Sequence, residues 1–359
     1  MHPESCAELL ARAEGHLAPE LAGAAARDRL RAVAGGIPAA HASSLWLECR
    51  LARGAPRVDL ALRVAPAALT EVAEGEHDPL WAGIGRLARR MARGQGAAGR
   101  AGTGLWLEHD IHEVPGRRVP GVFLQLGAGG DPAGAVLEAA GELLGTPPAG
   151  PLACRLGRVL AAAPPWAGLG QVGVMLPRGE SSVRLCFIFH DPARLPGLLA
   201  RFGWPGSAAE VAASPGLAGF AGPMMLHLDV GPGGVLPVLG LDFRLEPRPQ
   251  LRGGLRDRAL LNALAGAGLA DPGKAAALLR WPGAHRARPG ELQSRWVSHL
   301  KLSFRPHSPP EAKSYLAFSL AALPSRRAAP TRIGGHRRDH PINGRPAPGD
   351  APQTRQGQA

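Results

Sequence analysis

The sequence predicts an α+β fold in which five antiparallel ββ hairpins alternate with helices. Strand-length segments alternate between apolar and polar residues, and they come in pairs around short polar or glycine-rich turns. Ala- and Leu-rich segments with helical spacing separate the pairs. The motif Leu-Trp-Leu-Glu opens two of the pairs, at residues 45–48 and 105–108. If the hairpins lie side by side, they form one ten-stranded sheet that the helices cover.

The five hairpins are predicted at residues 43–65, 104–127, 172–189 and 225–245, and by pairing 297–304 with 314–320. Three Asp-Pro pairs, at 78–79, 131–132 and 191–192, predict helix starts, because Asp is a good N-cap and Pro suits the first helical position. Other helices are expected within 5–34, 151–162, 256–267 and 272–281, whereas 94–104 is expected to be a loop of small residues.

We expect three parts in the chain: an N-terminal helical segment at 1–40, a barrel-like αββα domain at 41–323, and a disordered basic tail at 324–359. The tail holds seven Arg and two Asp, so it supplies 7 − 2 = +5 of the net charge of +12. The remaining positive charge is spread thinly, which does not predict specific nucleic-acid binding. The abundance of Ala, Gly, Pro and Arg indicates a GC-rich bacterial genome.

One face of nearly every predicted strand is apolar and the other is polar or mixed. Closing the sheet removes its two edges, and a ten-stranded barrel is too wide for its own side chains to fill, so it would enclose a wet cavity. We favour a single ten-stranded antiparallel barrel ringed by helices over two α+β domains with open sheets. Alternation then places these residues on the inner face: Trp46, Glu48, Arg50, Asp59, Arg63, Trp106, Glu108, Asp110, Phe123, Gln125, Arg184, His190, His227, Asp229, Asp242, Arg244, His299, Lys301, Ser303, Tyr315 and Ser319.

The four cysteines are widely spaced and form no CxxC motif, which predicts reduced thiols in a cytoplasmic protein. No segment reads as a signal peptide or a transmembrane helix, so no membrane partner is expected. The cluster His109, Asp110, His112 and Glu113 lacks the alternation and spacing of a metal site, so no metal or other cofactor is expected. No DDxxD sequence or nucleophile with an adjacent base is evident.

This layout resembles the aromatic prenyltransferases, whose PT barrel is built from αββα units. Residues 102–108, followed by 119–126, resemble that family's glutamate-bearing strand and its partner strand, and 299–304 resembles its strands with a Lys between apolar residues. The resemblance implies transfer of a prenyl group from an isoprenyl diphosphate to an aromatic or indole-like acceptor, as in secondary metabolism. These two small molecules are then the expected partners, and no divalent metal is required by any motif.

By this resemblance Glu108 matches the catalytic glutamate, with Glu48 as its repeat-related twin, and Lys301 matches a diphosphate-binding position. The alternation adds Arg63, Arg184, Arg244 and Tyr315 as diphosphate ligands. Five further residues are expected to line the cavity: Trp46, Trp106, Phe123, His227 and His299. Of these, Trp46, Trp106 and Phe123 would supply the aromatic walls that a carbocation needs.

Two alternatives stay open. Glu108 can instead pair with Arg50 or Arg63 across strands, which would make it structural. The whole chain can also be a non-catalytic binding or accessory protein that uses the sheet face for a peptide or a small ligand. Convergence of Glu108, Lys301, Arg184 and Arg244 on one cavity distinguishes the enzyme from an open sheet face.

Overall fold

The computed structural model describes residues 5–39, 42–54, 57–75, 78–111, 119–178, 181–217, 219–247, 250–251, 258–288 and 291–322. The predicted basic tail at 324–359 lies outside these described residues, as do His112 and Glu113 of the rejected metal cluster.

The strands follow the predicted hairpins. They are β1 (Ala42–Arg50), β2 (Val58–Val64), β3 (Gly102–His109), β4 (Gly121–Leu126), β5 (Gly168–Val174), β6 (Val183–Phe189), β7 (Met224–Gly231), β8 (Gly234–Arg244), β9 (Gly283–Arg288), β10 (Glu291–Arg305) and β11 (Ser308–Ala322).

Helices separate the hairpins. They are α1 (Cys6–Glu14), α2 (Ala24–Gly35), α3 (Pro66–Glu74), α4 (Pro79–Ala92), α5 (Gly96–Ala101), α6 (Pro132–Leu144), α7 (Gly150–Ala162), α8 (Leu195–Phe202), α9 (Ala208–Ala212), α10 (Arg258–Gly266) and α11 (Pro272–Arg280).

Ten of the strands close into an antiparallel barrel. Neighbouring strands pair in the order β11-β1-β2-β3-β4-β5-β6-β7-β8-β10, and β10 also pairs with β11, which completes the ring. Strand β9 pairs with the first part of β10 and stands outside the ring. The predicted barrel is confirmed, and the alternative of two open sheets is wrong.

The main core lies between the outer face of the barrel and the helices. Leu47 of β1, Leu60 of β2 and Leu105 of β3 are completely buried and join the same apolar cluster as Leu30 of α2 and Ile84 of α4. Because side chains alternate along a strand, this outward packing turns the intervening polar residues toward the lumen. The lumen thus acquires its charges as a consequence of where the core lies.

Side-chain caps explain the helix starts that the sequence predicted. Asp78 accepts a hydrogen bond from the Leu80 backbone N–H, and Asp131 accepts one from Gly134. Asp191 caps a short 3₁₀ turn that leads into α8. The glycine-rich segment 127–130 therefore leads into a helix whose N-cap is Asp131.

Four of these helices and strands were not predicted. Helix α3 starts after Ala65, which has no capping side chain, and α5 lies where a loop was expected. The Glu138 carboxylate of α6 accepts the Ala98 backbone N–H, so α5 depends on a tertiary contact that local sequence does not show. Helix α9 and strand β9 were also not predicted. Across the described residues, no helix combines the length and apolar character needed to cross a membrane.

Candidate active site in the barrel lumen

A cavity of about 90 Å³ lies inside the barrel. Aromatic side chains form much of its wall. The rings of Trp46 and Trp106 lie 4.2 Å apart and tilted by 51°, and those of His299 and Tyr315 stack at 3.9 Å. Phe123 lies opposite Trp106 on the next strand. Such π faces can stabilise a cation held between them.

The carboxylate of Glu108 faces this cavity. Glu108 lies on β3 opposite Ala61 of β2, whose small side chain leaves room beside it. Among the described residues Glu108 makes no hydrogen bond or salt bridge of its own. Burial, followed by the charge of Glu48, raises its pKa, and the charge of Lys301 opposes this rise. Glu108 is therefore a carboxylate that can accept a proton or a hydrogen bond from a ligand.

Glu48, the repeat-related twin, is bonded on several sides. Its Oε1 accepts hydrogen bonds from Arg50 and, at 2.9 Å, from Lys313, and its Oε2 accepts one from the Tyr315 hydroxyl. Burial would raise the pKa of Glu48, but Lys313 and Arg50 outweigh it and hold that pKa well below its usual range. Glu48 is therefore ionised, and it binds two buried cations, Arg50 and Lys313, and the hydroxyl of Tyr315.

Two cations line the cavity. Lys301 of β10 is buried, and its Nζ lies 3.7 Å from Asp242 Oδ1. Arg244 ends β8, is exposed, and makes no side-chain hydrogen bond or salt bridge with any described residue. These two side chains lie on neighbouring strands, because Arg244 pairs with His299 and Asp242 with Lys301. They provide positive charge that an anionic ligand can reach.

The other predicted cations lie outside the cavity lining. Arg184 of β6 forms a bidentate salt bridge with Asp229 of β7, at 2.7 and 2.8 Å. Arg63 of β2 lies opposite Trp106 of β3 and already takes part in another interaction within the protein. An anion would have to displace the Asp229 carboxylate to reach the Arg184 guanidinium, so this residue is a poor diphosphate ligand in this arrangement.

A second cavity of about 660 Å³ begins at the end of the barrel where β7 starts and β8 ends. Arg244 lines both cavities. Phe220, Leu245 and Leu260 contribute apolar surface to the larger one. The exposed guanidinium therefore stands between the aromatic chamber and a wider vestibule.

Comparison with solved structures identifies the architecture. The apo prenyltransferase PriB matches with a TM-score of 0.52 and 17% identity over 87% of this chain and 95% of that one. A PriB ternary complex with L-tryptophan and dimethylallyl thiolodiphosphate matches with a TM-score of 0.50, 17% identity and the same coverage. The 5-dimethylallyltryptophan synthase from Streptomyces coelicolor gives 0.47 and 18%, over 86% of this chain and 95% of that one.

The chain has the fold of the aromatic prenyltransferases. No family model and no curated protein sequence matches it. At this level of identity the solved structures show the fold alone, so the site must be argued from the residues themselves.

This prenyltransferase-like barrel brings most of the predicted site residues to one cavity. Nine of them line it: Trp46, Trp106, Glu108, Phe123, His227, Arg244, His299, Lys301 and Tyr315. Of the four residues whose convergence distinguishes the two hypotheses, Glu108, Lys301 and Arg244 meet, whereas Arg184 does not line the cavity. Glu48 is buried beside Tyr315 and likewise does not line it.

The sequence alternation missed several lumen residues. Gln171 and Met225 line the cavity, Lys313 binds Glu48, and Cys186 contacts His227. Lys313 could have been found, since it lies on the same face as Tyr315, two residues away. Gln171 lies one residue before the predicted start of its hairpin. Met225 and Cys186 lie two residues from His227 and Arg184, so the alternation puts them on the inner face, but the prediction selected mainly polar and aromatic residues there.

Proposed function

We propose that the chain transfers a prenyl group from an isoprenyl diphosphate to an aromatic, indole-like acceptor. The observation that carries this proposal is the composition of one cavity. A carboxylate with no hydrogen-bond partner among the described residues, two reachable cations and a wall of aromatic rings face the same space inside a closed barrel. These are the three kinds of group that the reaction requires.

Lys301 and Arg244 are assigned to the diphosphate. Negative charge grows on the leaving oxygen as the allylic C–O bond breaks, and fixed cations stabilise that charge. Arg244 can also offer paired N–H donors to phosphate oxygens. Both side chains lie on the β8–β10 wall, so the diphosphate would lie at the Arg244 end of the cavity.

The allylic carbocation is assigned to the aromatic wall. Trp46 and Trp106 lie 4.2 Å apart, and Tyr315, on the strand next to that of Trp46, belongs to the same aromatic cluster. The Tyr315 hydroxyl is held by Glu48, so the ring, and not the hydroxyl, is presented to a ligand. The π faces attract a cation and offer no nucleophilic oxygen or water that would quench it.

Glu108 is assigned to the acceptor. After the new bond forms, the aromatic ring must lose a proton, and a carboxylate within hydrogen-bond reach can accept it. The raised pKa of Glu108, caused by burial and by Glu48, makes it a better proton acceptor than an exposed carboxylate. An indole suits the site because PriB, with the same fold, has been solved bound to L-tryptophan.

The lumen cavity is too small to hold two substrates without a change in the side chains around it or use of the space next to it. A cavity of about 90 Å³ is smaller than the roughly 300–1,000 Å³ that drug-sized ligands occupy. Two substrates therefore need the vestibule beyond Arg244, or movement of flexible lining residues such as Met225.

The first test is thermal unfolding with dimethylallyl thiolodiphosphate, with pyrophosphate as a parallel ligand. A ligand at about 100 times its Kd adds roughly 2.7 kcal/mol and raises the Tm by a few degrees. We expect Lys301→Ala and Arg244→Ala to reduce or abolish this shift. Arg53→Ala is the matched control, because Arg53 is exposed on the surface and pairs only weakly, at 3.4 Å, with Asp271. A shift that persists in both lumen variants would contradict the assigned diphosphate site.

A further inference from the structure

Cys186, His227 and Asp242 form a chain of contacts across three neighbouring strands of the lumen. Cys186 of β6 lies directly opposite His227 of β7, and its Sγ is 3.4 Å from His227 Nδ1. His227 Nε2 is 2.7 Å from Asp242 Oδ2 of β8. A thiol, an imidazole and a carboxylate in this order are the components of an assisted nucleophile. The prenyl transfer proposed above uses none of these three groups.

The protonation states follow from the contacts. Although burial opposes it, His227 and Lys301 hold the pKa of Asp242 below its usual range, so Asp242 is ionised and can only accept. His227 Nε2 must therefore carry the hydrogen. Burial lowers the pKa of His227, which leaves the ring neutral and Nδ1 free to accept. The Cys186 S–H then donates to Nδ1, which is the tautomer that can remove the thiol proton.

We propose that Cys186 is a nucleophile that takes a prenyl group from an allylic diphosphate, with His227 as its base and Asp242 as a positioning residue; this rests on the proposed function. The Sγ–C1 bond forms as the C1–O bond to the diphosphate breaks. The diphosphate leaves with the electron pair of that bond. The thiol proton passes to His227 Nδ1, and Asp242 stabilises the imidazolium. The product is a prenyl thioether on the barrel wall.

The surroundings of the thiol suit this substrate class. Phe123 and Met225 line the cavity and pack against Cys186, so they present apolar surface to an isoprenyl chain. The charged and titratable groups that face His227 and Cys186 are Arg184 and Asp229 beside them, Asp242 of β8, and Lys301 and His299 of β10. Of the two cations, Arg184 and Lys301, Lys301 lines the cavity, where it can stabilise an anionic leaving group.

Access to the thiol requires movement of the side chains that pack on it. Cys186 is completely buried, and burial raises its pKa to about 12, so it remains a thiol until a base removes the proton. Met225 lines the cavity and packs in the same cluster as Cys186, and because it is unbranched it can change rotamer. We expect Met225→Ala to make Cys186 react faster with small alkylating reagents.

Alkylation with iodoacetamide tests the thiol independently of any prenyl substrate. The reaction would be followed by peptide mass spectrometry from pH 6.5 to pH 8.5. Cys6 and Cys49 are internal controls, because both are buried and neither Sγ contacts a histidine of the described part of the chain. We expect Cys186 to react faster than both and at a rate nearly independent of pH, since His227 is already neutral. An unassisted thiol would instead react about tenfold faster per pH unit, in step with its thiolate fraction. That slope, or a rate no higher than those of the controls, would overturn the proposal.

Asp242→Asn separates a positioning role from a packing role. The amide is nearly isosteric, so the wall stays filled, but the imidazolium loses its stabilising charge. We expect the rate at Cys186 to fall by about 10²-fold and the rates at Cys6 and Cys49 to stay unchanged. An unchanged rate at Cys186 would overturn the assignment of Asp242.

Incubation with dimethylallyl diphosphate completes the experiment. We expect one dimethylallyl group on the protein, located at Cys186 and missing from Cys186→Ser. Protection of Cys186 from iodoacetamide by dimethylallyl thiolodiphosphate, without any dimethylallyl adduct from the diphosphate, would overturn the prenyl-acceptor role while leaving diphosphate binding intact. Neither protection nor adduct would count against the proposed function as well.

Discussion

Glu48 and Glu108 occupy equivalent positions in the two Leu-Trp-Leu-Glu repeats, yet their carboxylates have different surroundings. Lys313, Arg50 and Tyr315 bind Glu48, whereas Glu108 faces the cavity without a described partner. The difference comes from the partner strands. Glu48 pairs with Tyr315 of β11, and Glu108 pairs with Ala61 and Gly121, which offer no polar side chain. The cross-strand ion pair considered as a structural role for Glu108 is found at Glu48.

Glu48→Gln should destabilise the protein strongly. The substitution removes the buried anion that Arg50 and Lys313 share and leaves them Asp59 and the more exposed Glu311. Breaking a buried ion pair typically costs about 3–5 kcal/mol. Urea denaturation measures this change. Glu311→Gln is the matched control, because Glu311 contacts the same two cations but its side chain is 37% exposed. It should cost less than about 1 kcal/mol. Equal losses in the two variants would contradict the account.

Glu108→Gln should leave the stability of the protein nearly unchanged and should reduce its activity. Because no described group depends on this carboxylate, the free energy of unfolding should change by less than about 1 kcal/mol. Prenyl transfer should fall by about 10²-fold or more, since the amide cannot accept the proton. Full activity in a folded Glu108→Gln protein would remove Glu108 from the proposed chemistry.

Asp59 should make stability depend on pH. Burial and the charge of Glu48 raise its pKa from 3.8 to about 7. The folded protein then binds this proton more tightly than the unfolded chain, so the associated stability is complete below about pH 4 and is lost as the pH rises toward about 7. Asp59→Asn cannot ionise, so its stability relative to the native protein should increase between pH 4 and pH 7. A difference that is constant over this range would contradict the assigned environment of Asp59.

At the scale of single elements, β5 must approach β4 closely. A Cβ on Gly173 would lie 2.3 Å from Phe123 Cδ1 and 2.6 Å from the Val122 carbonyl oxygen. Gly173→Ala should therefore displace Phe123 from the cavity wall and cost about 1–3 kcal/mol by overpacking. Gly168→Ala on the same strand is the control, since no atom of a described residue lies within 4 Å of the Cβ that it would add. Thermal unfolding of the two variants checks this, and equal Tm values would refute it.

The predicted helices α4 and α6 have a capping residue next to them in the sequence, whereas the missed helices α3 and α5 do not. Asp78 and Asp131 cap the helices that follow them, and an Asp at the start of a helical pattern is visible in the sequence. Ala65 precedes α3 without any such group, and α5 is completed by Glu138, which is 40 residues away from Ala98. Interactions of that kind arise only when the chain has folded, so local patterns cannot reveal them.

At the scale of the whole molecule, alternation predicted which residues face the lumen but not which of them interact there. The pattern placed Glu48, Arg184 and Lys301 on the inner face, as the structure does. It could not show that Arg184 is bound by Asp229 or that Glu48 is bound by Lys313. Those pairings depend on strand register, and a shift of one residue reverses every side chain. The contact between Cys186 and His227 depends on register in the same way.

The central claim is that this barrel transfers a prenyl group, and product analysis tests it most directly. The full chain would be incubated with dimethylallyl diphosphate and an indole acceptor, and both the prenylated product and the released diphosphate would be quantified. We predict stoichiometric formation of the two, lost in Glu108→Gln and Lys301→Ala and retained in Arg53→Ala. Diphosphate release without a prenylated acceptor, or no turnover while the Arg53→Ala control and the native protein remain folded, would contradict the claim.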